Sequence, residues 1–501
     1  MGEHIVTTTT GKIKGYERNG GIEYLGIPYA KPPVGKLRFK RAVPIEPWEG
    51  VLDAKEYGPI SVQTDEIEHP GEVVGSEDCL TVNIQRPLSG EKLPVLVYIH
   101  GGGYNTGSAS DELYNGRAFV KEGIVYATFQ YRLNVLGFFD FTTYPGCEEF
   151  DSNCGLSDHI VAMQWIHDNI AAFGGDPERI TIAGESAGAT SVTTLMATPA
   201  ARGTFQQAII SSSIANGFFT HKMARENMDL FIEGMGWSEA DLPKLLTMDP
   251  AEMQKGNTYI AKKHQYKNPG IFLPSPVIDD LLPERPIDAI RKGCAKGIKL
   301  MIGTNKDEGT LFVRPEDTNF PNSWEMVEDV FKHTGNEAGL PDILKYYKAR
   351  SGETKLGIDQ AFYEFATDYA FQMPDIKVAD AQMENGDVWM YRFEYVSKSS
   401  EESGMGASHA FDLPCAFANR EHMFAKMLFE GEDENVVDAM IGAVHGAWSS
   451  FVRDGRPDIA DWSQYEGHNS PICIFDRETK VKQLDRTELM DAWGDMRFYE
   501  E

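Results

Sequence analysis

The sequence predicts an α/β fold, with a central, mostly parallel sheet covered by helices. Two observations carry this. Apolar runs of strand length recur at residues 93–99, 124–131, 179–183, 298–302 and 388–395. Most are separated by apolar residues at helical spacing, as over 156–173, which stops at Gly174-Gly175, and over 435–452, which stops at Gly455. Strands that alternate with helices are joined by crossovers. Crossovers make neighbouring strands parallel and lay helices on both faces of the sheet.

Taken in order, the first forty residues read as short strands and turns, ending in the loop Gly26-Ile27-Pro28-Tyr29-Ala30-Lys31-Pro32-Pro33. The five apolar runs supply the body of the sheet. Residues from about 323 to 383 are mainly helical and polar-aromatic, which predicts a helical lobe beside the sheet and over the candidate site. No repeat, low-complexity tract or linker divides the 501 residues, so a single domain over 1–501 is expected. A hydrophobic content of 42% is ample for a large core.

The net charge of -29 and pI near 4.8 make a surface that repels phosphate backbones and anionic lipids. Nucleic-acid and membrane partners are therefore not expected, and the charge serves solubility. No stretch has the length and apolarity of a transmembrane helix. The start, Met1-Gly2-Glu3-His4-Ile5-Val6, lacks the basic and apolar regions of a signal peptide. Of the six cysteines (Cys79, Cys147, Cys154, Cys294, Cys415 and Cys473), only Cys147 and Cys154 are close in sequence. The pattern fits free thiols in a cytoplasmic protein, with a Cys147–Cys154 bridge as the alternative. A monomer or small homo-oligomer is expected.

Chemistry enters at Gly184-Glu185-Ser186-Ala187-Gly188, between the strand 179–183 and a helical pattern. A serine on a sharp glycine-flanked turn is lifted out of the strand ladder. The helix start behind it offers unpaired N–H groups to a developing negative charge. Ser186 is therefore the candidate nucleophile toward a carbonyl carbon, and such a hydroxyl needs a base beside it. A second signal, His100-Gly101-Gly102-Gly103-Tyr104, follows strand 93–99. Its bare amides suit an oxyanion hole, with Gly102 and Gly103 joined by the N–H of Ala187. His100 reads as a positioning residue.

On this kind of sheet the catalytic order along the chain is serine, acid, histidine. Beyond Ser186, His409 lies in a small-residue loop after the strand 388–395, whereas His445 sits in a helical pattern and His468 in a polar turn. His409 is the candidate base. The acid should follow a strand between the two, where Asp307 and Glu308 stand side by side; pattern does not choose between them. Its role is to hold the imidazole in one tautomer and stabilise the imidazolium. Glu185 is expected to tune the electrostatics without transferring a proton. Tyr104, Phe272 and Phe312 are candidate pocket aromatics, each equally readable as core. No metal or cofactor is needed.

These motifs resemble the type-B carboxylesterase and cholinesterase family of α/β-hydrolases, above all its bacterial para-nitrobenzyl esterase-like carboxylesterases. The likeness runs nearly end to end. It includes Gly26-Ile27-Pro28-Tyr29-Ala30, Ser76-Glu77-Asp78-Cys79-Leu80, the glycine loop after His100, Phe173-Gly174-Gly175-Asp176-Pro177, Asp307-Glu308-Gly309, Ser408-His409 and Gly455-Arg456-Pro457. The resemblance implies Glu308 as the acid, and supports His409 as base with Gly102, Gly103 and Ala187 as oxyanion donors. It further implies the ion pairs Arg38–Glu77 and Arg132–Asp158. Two departures are informative. Ser61 stands where many relatives carry the cysteine that pairs with the Cys79 position. Residues 63–76 hold no aromatic residue, whereas cholinesterases place a tryptophan there to hold a quaternary ammonium. Choline esters are therefore excluded as main substrates, and the shortness of that loop argues against a lipase lid. The expected activity is a serine carboxylesterase acting on short- to medium-chain small-molecule esters through an acyl-enzyme. The rivals are a lipase on longer chains, a catalytically silent binding protein of the same fold, and an amidase or carbamate hydrolase using the same triad.

Overall fold

The computed structural model describes residues 4–65, 70–263, 267, 274–315 and 319–497. An antiparallel front of β1 (His4–Thr7), β2 (Lys12–Arg18) and β3 (Gly21–Pro28) carries the short β4 (Val51–Asp53) on its edge. A separate two-stranded piece, β5 (Gln63–Thr64) with β6 (Val73–Val74), follows. The remaining strands are β7 (Thr81–Pro87), β8 (Leu93–Ile99), β9 (Val125–Phe129), β10 (Gly175–Glu185), β11 (Gln207–Ser211), β12 (Lys299–Asn305), β13 (Val388–Phe393), β14 (Pro471–Phe475) and β15 (Lys480–Gln483). All except β5 and β6 belong to one 13-stranded sheet, in the order β1-β2-β3-β7-β9-β8-β10-β11-β12-β13-β14-β15.

From β9 through β14 every pairing is parallel, as the alternation of strands and helices predicts. The edges are antiparallel: β7 on β9 at one side, β15 on β14 at the other. Both faces are buried. Along β8, Val95, Val97 and Ile99 enter one core cluster, while Leu96 and Tyr98 enter a second on the opposite face. That is the period of two expected of a strand covered on both sides. The helix Cys154–Asn169 packs into the first cluster and the helix Glu434–Asp454 into the second.

Between 324 and 382 lie the helices Trp324–His333, Leu340–Lys348, Gln360–Thr367 and Met373–Gln382. Their starts are written locally: Ser323 accepts from the Met326 N–H, and Asp359 from that of Ala361. A π-turn, Asp368–Gln372, joins the last two helices.

Arg132 and Asp158, 3% and 0% exposed, form a two-pronged ion pair at 2.6 and 2.9 Å. Arg38 holds both Glu77 oxygens and also donates to the Leu245 and Met248 carbonyls. All six cysteines are free, Cys147 and Cys154 included. Ser61 hydrogen-bonds the buried Cys79, whose thiol burial pushes up to about 12. Among the described residues no helix is long and apolar enough to cross a membrane.

Candidate active site

The parallel strands all end at one edge, and the chemistry collects there. Register places Gly184 beside Ile99 and Glu185 beside Ser211. Ser186, the next residue, is therefore thrown out at φ 57° and ψ -127° before the helix Ala187–Ala197 begins. Left-handed backbone strains a non-glycine residue, and the flanking glycines make room for it. A Cβ at Gly188 would sit 2.1 Å from the Ile99 carbonyl oxygen; one at Gly184 would sit 2.4 Å from Gly188 backbone.

The loop after β8 wraps over this elbow. A Cβ at Gly101 would lie 3.1 Å from that of Ser186. Gly102 and Gly103 adopt φ 105° and 59°. Among the described residues, no loop or turn backbone hydrogen bond is made by the N–H groups of Gly102, Gly103 and Ala187. His100 braces the loop from within the core. It donates from Nδ1 to the Gly101 carbonyl at 2.9 Å, and its own carbonyl accepts from the Tyr131 hydroxyl at 2.7 Å. Burial pushes its pKa down to about 4, so the ring stays neutral.

Beyond β12, Glu308 is fully buried and its Oε2 lies 2.5 Å from His409 Nδ1. Its Oε1 accepts from the Asn305 N–H at 2.7 Å and the Ser212 hydroxyl at 2.5 Å. Asp307 points elsewhere: its Oδ2 accepts from the Ala407 N–H at 2.9 Å, fastening the histidine loop. Asn305 and Thr310 hold the same loop through the Ser408 and Met405 carbonyls. The rings of Phe312 and Phe371 flank His409 at 5.0 and 4.9 Å.

Carboxyl groups crowd this imidazole. Glu185 Oε1 lies 3.0 Å from His409 Nε2, out of line for a hydrogen bond. The Ser186 hydroxyl makes no hydrogen bond to the ring. Burial pushes Glu185 above the usual carboxylate range, reinforced by Asp412 and Glu308 and opposed by His409. Burial pushes His409 down, but the charges of Glu185 and Glu308 outweigh it and raise the imidazole above its ordinary value. Asp412 is raised by burial while accepting from the Ser211 hydroxyl at 2.7 Å.

Ser186, Glu308, His409, Gly102, Gly103 and Ala187 thus gather at one place. Tyr104 lies beneath the glycine loop, 1% exposed, its hydroxyl 3.1 Å from Ser191 Oγ and its ring against Phe138. Phe272 falls outside the described residues. His445 is buried in its helix, with Nδ1 donating to the Ala416 carbonyl at 2.8 Å and Nε2 3.3 Å from Glu122. Ser212, Asn305 and Asp412 were not legible as site residues. A signal for Ser212 existed, since three successive serines, 211–213, end β11 at the active edge of the sheet.

The model of the carboxylesterase family matches residues 2–493. The chain is 35% identical to the para-nitrobenzyl esterase of Bacillus subtilis (strain 168), over 97% of this chain and 98% of that protein. It is 33% identical to the phenmedipham hydrolase of Pseudarthrobacter oxydans, over 95% of each. A solved PNB esterase superposes with a TM-score of 0.87 at 33% identity, covering 98% of this chain and 99% of that one. With a serine elbow at the edge of a mostly parallel sheet and relatives matched along nearly their whole length, the chain belongs to the carboxylesterase family: it is a carboxylic ester hydrolase of the α/β-hydrolase fold.

Proposed function

We propose that the protein is a serine carboxylesterase for short- to medium-chain carboxylic esters, working through an acyl-enzyme. The observation that carries this reading is the 2.5 Å contact between Glu308 and His409 beside a serine on a strained elbow. As substrate enters, His409 Nε2 meets the Ser186 hydroxyl, a contact that often tightens only in the substrate complex. The imidazole takes the hydroxyl proton while Oγ attacks the ester carbonyl. The carbonyl oxygen becomes an oxyanion on the N–H groups of Gly102, Gly103 and Ala187, where each donor is worth about 3 kcal/mol of transition-state stabilisation. His409 then passes the proton to the departing alcohol. Water, deprotonated by His409, attacks the acyl carbon, and the proton returns to Ser186 as the acid leaves. Glu308 keeps the Nδ1 proton facing itself throughout and stabilises the imidazolium. Phe312 and Phe371 give the acyl or alcohol group an apolar wall beside the histidine.

The test is a para-nitrophenyl ester series with Ser186→Ala as its partner. Turnover should be greatest below about ten acyl carbons, and the variant should lose it while keeping its fold. Near-normal activity in the variant would end the proposal. Rates that rise steadily with longer chains would instead assign a lipase.

A further inference from the structure

Where β11 ends, three successive serines each meet a buried carboxyl group. The Ser211 hydroxyl donates to Asp412 at 2.7 Å and the Ser212 hydroxyl to Glu308 at 2.5 Å. Ser213 gives its backbone N–H to Asp375 Oδ2 at 3.3 Å. The middle serine is strained. Ser211 is the last residue in register with β12, opposite Gly303, and Ser212 then turns out at φ 56°. A residue with a Cβ keeps such a left-handed turn only where its surroundings hold it. Here the Ser212 N–H donates to the Gly303 carbonyl at 2.8 Å, and the next N–H goes to Asp375. The Ser213 hydroxyl lies 3.2 Å from Thr193 Oγ1, on the helix that follows the nucleophile.

Asp375 belongs to the helix Met373–Gln382, about one helical turn after Phe371, whose ring flanks His409 at 4.9 Å. This short stretch of chain therefore touches both halves of the Glu308–His409 contact. Phe371 meets the imidazole, and Asp375 meets the turn whose serine holds the acid. The Asp375 carboxyl group is 1% exposed, its Oδ1 has no hydrogen-bond partner, and no cation pairs with it among the described residues. Burial raises it well above the usual carboxylate range; the Ser213 N–H opposes this and the Glu308 charge adds to it. A buried carboxyl with so few partners does little for stability. Its hydrogen bond leads instead to the neighbour of the serine on Glu308.

We propose that Asp375 is a positioning residue for ester hydrolysis: by holding the Ser213 N–H it keeps Ser212 in its left-handed turn, and so keeps the Ser212 hydroxyl on Glu308. This role rests on Glu308 being the acid that orients His409.

The test is kcat and KM on para-nitrophenyl butyrate, with circular dichroism and a thermal melt reporting the fold. Asp375→Leu removes the acceptor, and the slackened hydrogen bond to a charged group should lower kcat about tenfold with KM within about twofold. Asp375→Asn keeps an oxygen for the Ser213 N–H and should recover kcat to within about threefold of wild type. Ser212→Ala deletes the hydroxyl itself and should also lower kcat about tenfold. Both changes act on one hydrogen bond, so Ser212→Ala/Asp375→Leu should lose about tenfold and not the roughly hundredfold of independent sites. Asp375→Ala, a smaller replacement with the same expected losses, takes the place of Asp375→Leu if that variant does not fold. A folded Asp375→Leu within about threefold of wild type would overturn the role. So would Asp375→Asn as slow as Asp375→Leu, a near wild-type Ser212→Ala, or losses that multiply in the double variant. Absence of turnover in the wild type would overturn the esterase mechanism, and this role with it.

Discussion

Glu308→Gln is the sharpest perturbation the site allows, because the surroundings dictate how the new amide must sit. Glu308 Oε1 accepts from the Asn305 N–H at 2.7 Å and the Ser212 hydroxyl at 2.5 Å, and a backbone N–H cannot turn into an acceptor. The glutamine oxygen must therefore stay on that side, leaving its NH2 against His409 Nδ1, 2.5 Å away in the native protein. Two donors cannot face each other, so Nδ1 becomes the acceptor and the ring proton moves to Nε2. An imidazole protonated at Nε2 has no lone pair for the Ser186 hydroxyl. A wrong tautomer of this kind lowers kcat by about 10⁴-fold, or roughly 5 kcal/mol, in serine hydrolases. The assay is kcat on para-nitrophenyl butyrate, with circular dichroism and a thermal melt to establish that the fold is intact. The expected loss is at least about a thousandfold with little change in KM. A folded variant within tenfold of wild type would refute the assignment of Glu308 as the orienting acid.

Three further outcomes follow from the same geometry. Asp307→Asn keeps an oxygen for the Ala407 N–H and leaves His409 untouched, so kcat should stay within about tenfold of wild type; a loss equal to that of Glu308→Gln would mean the two carboxylates are misassigned. Glu185→Gln removes the largest contribution raising His409. His409 serves as base only when neutral, so activity is lost as pH falls through its raised value, and the variant's acidic limb of kcat/KM should move to lower pH by ~1 unit or more. That limb belongs to the Glu185–His409 pair as a whole; an unmoved limb would show that the Glu185 charge does not raise His409. Arg132→Met strands the Asp158 carboxylate in the core and should destabilise the protein by ~3–5 kcal/mol. Urea unfolding checks this, and a loss below about 1 kcal/mol would contradict it.

Legibility in the sequence followed the range of the interactions. The parallel strands could be read because each is a short apolar run whose faces are both buried, and burial leaves its mark residue by residue. Their ends shift by up to four positions: the run 179–183 lies inside a strand over Gly175–Glu185, and the run 124–131 is a strand only over Val125–Phe129. Ser186 was legible because its strain is local, with the glycines that permit it standing two residues to either side. His409 could be read only through topology, as the histidine in a small-residue loop beyond a late strand. Asn305, Thr310 and Asp307 hold that loop in place from about a hundred residues away, and no motif announces them.

The sequence by itself determined the α/β layering, the serine elbow, the glycine loop and the family, since each is written in neighbouring residues or in ordered motifs. Only the tertiary structure decided what long-range packing controls. It turned the adjacent side chains of Asp307 and Glu308 in opposite directions, one to the Ala407 backbone and one to His409. It put Tyr104 under the loop and Phe312 beside the histidine, though both read alike in sequence. It also brought Glu185 and Asp412 into the same buried pocket of charge as Glu308 and His409. The electrostatics there are a property of that enclosure, because a carboxyl group's proton affinity depends on the water and charges around it and not on its place in the chain.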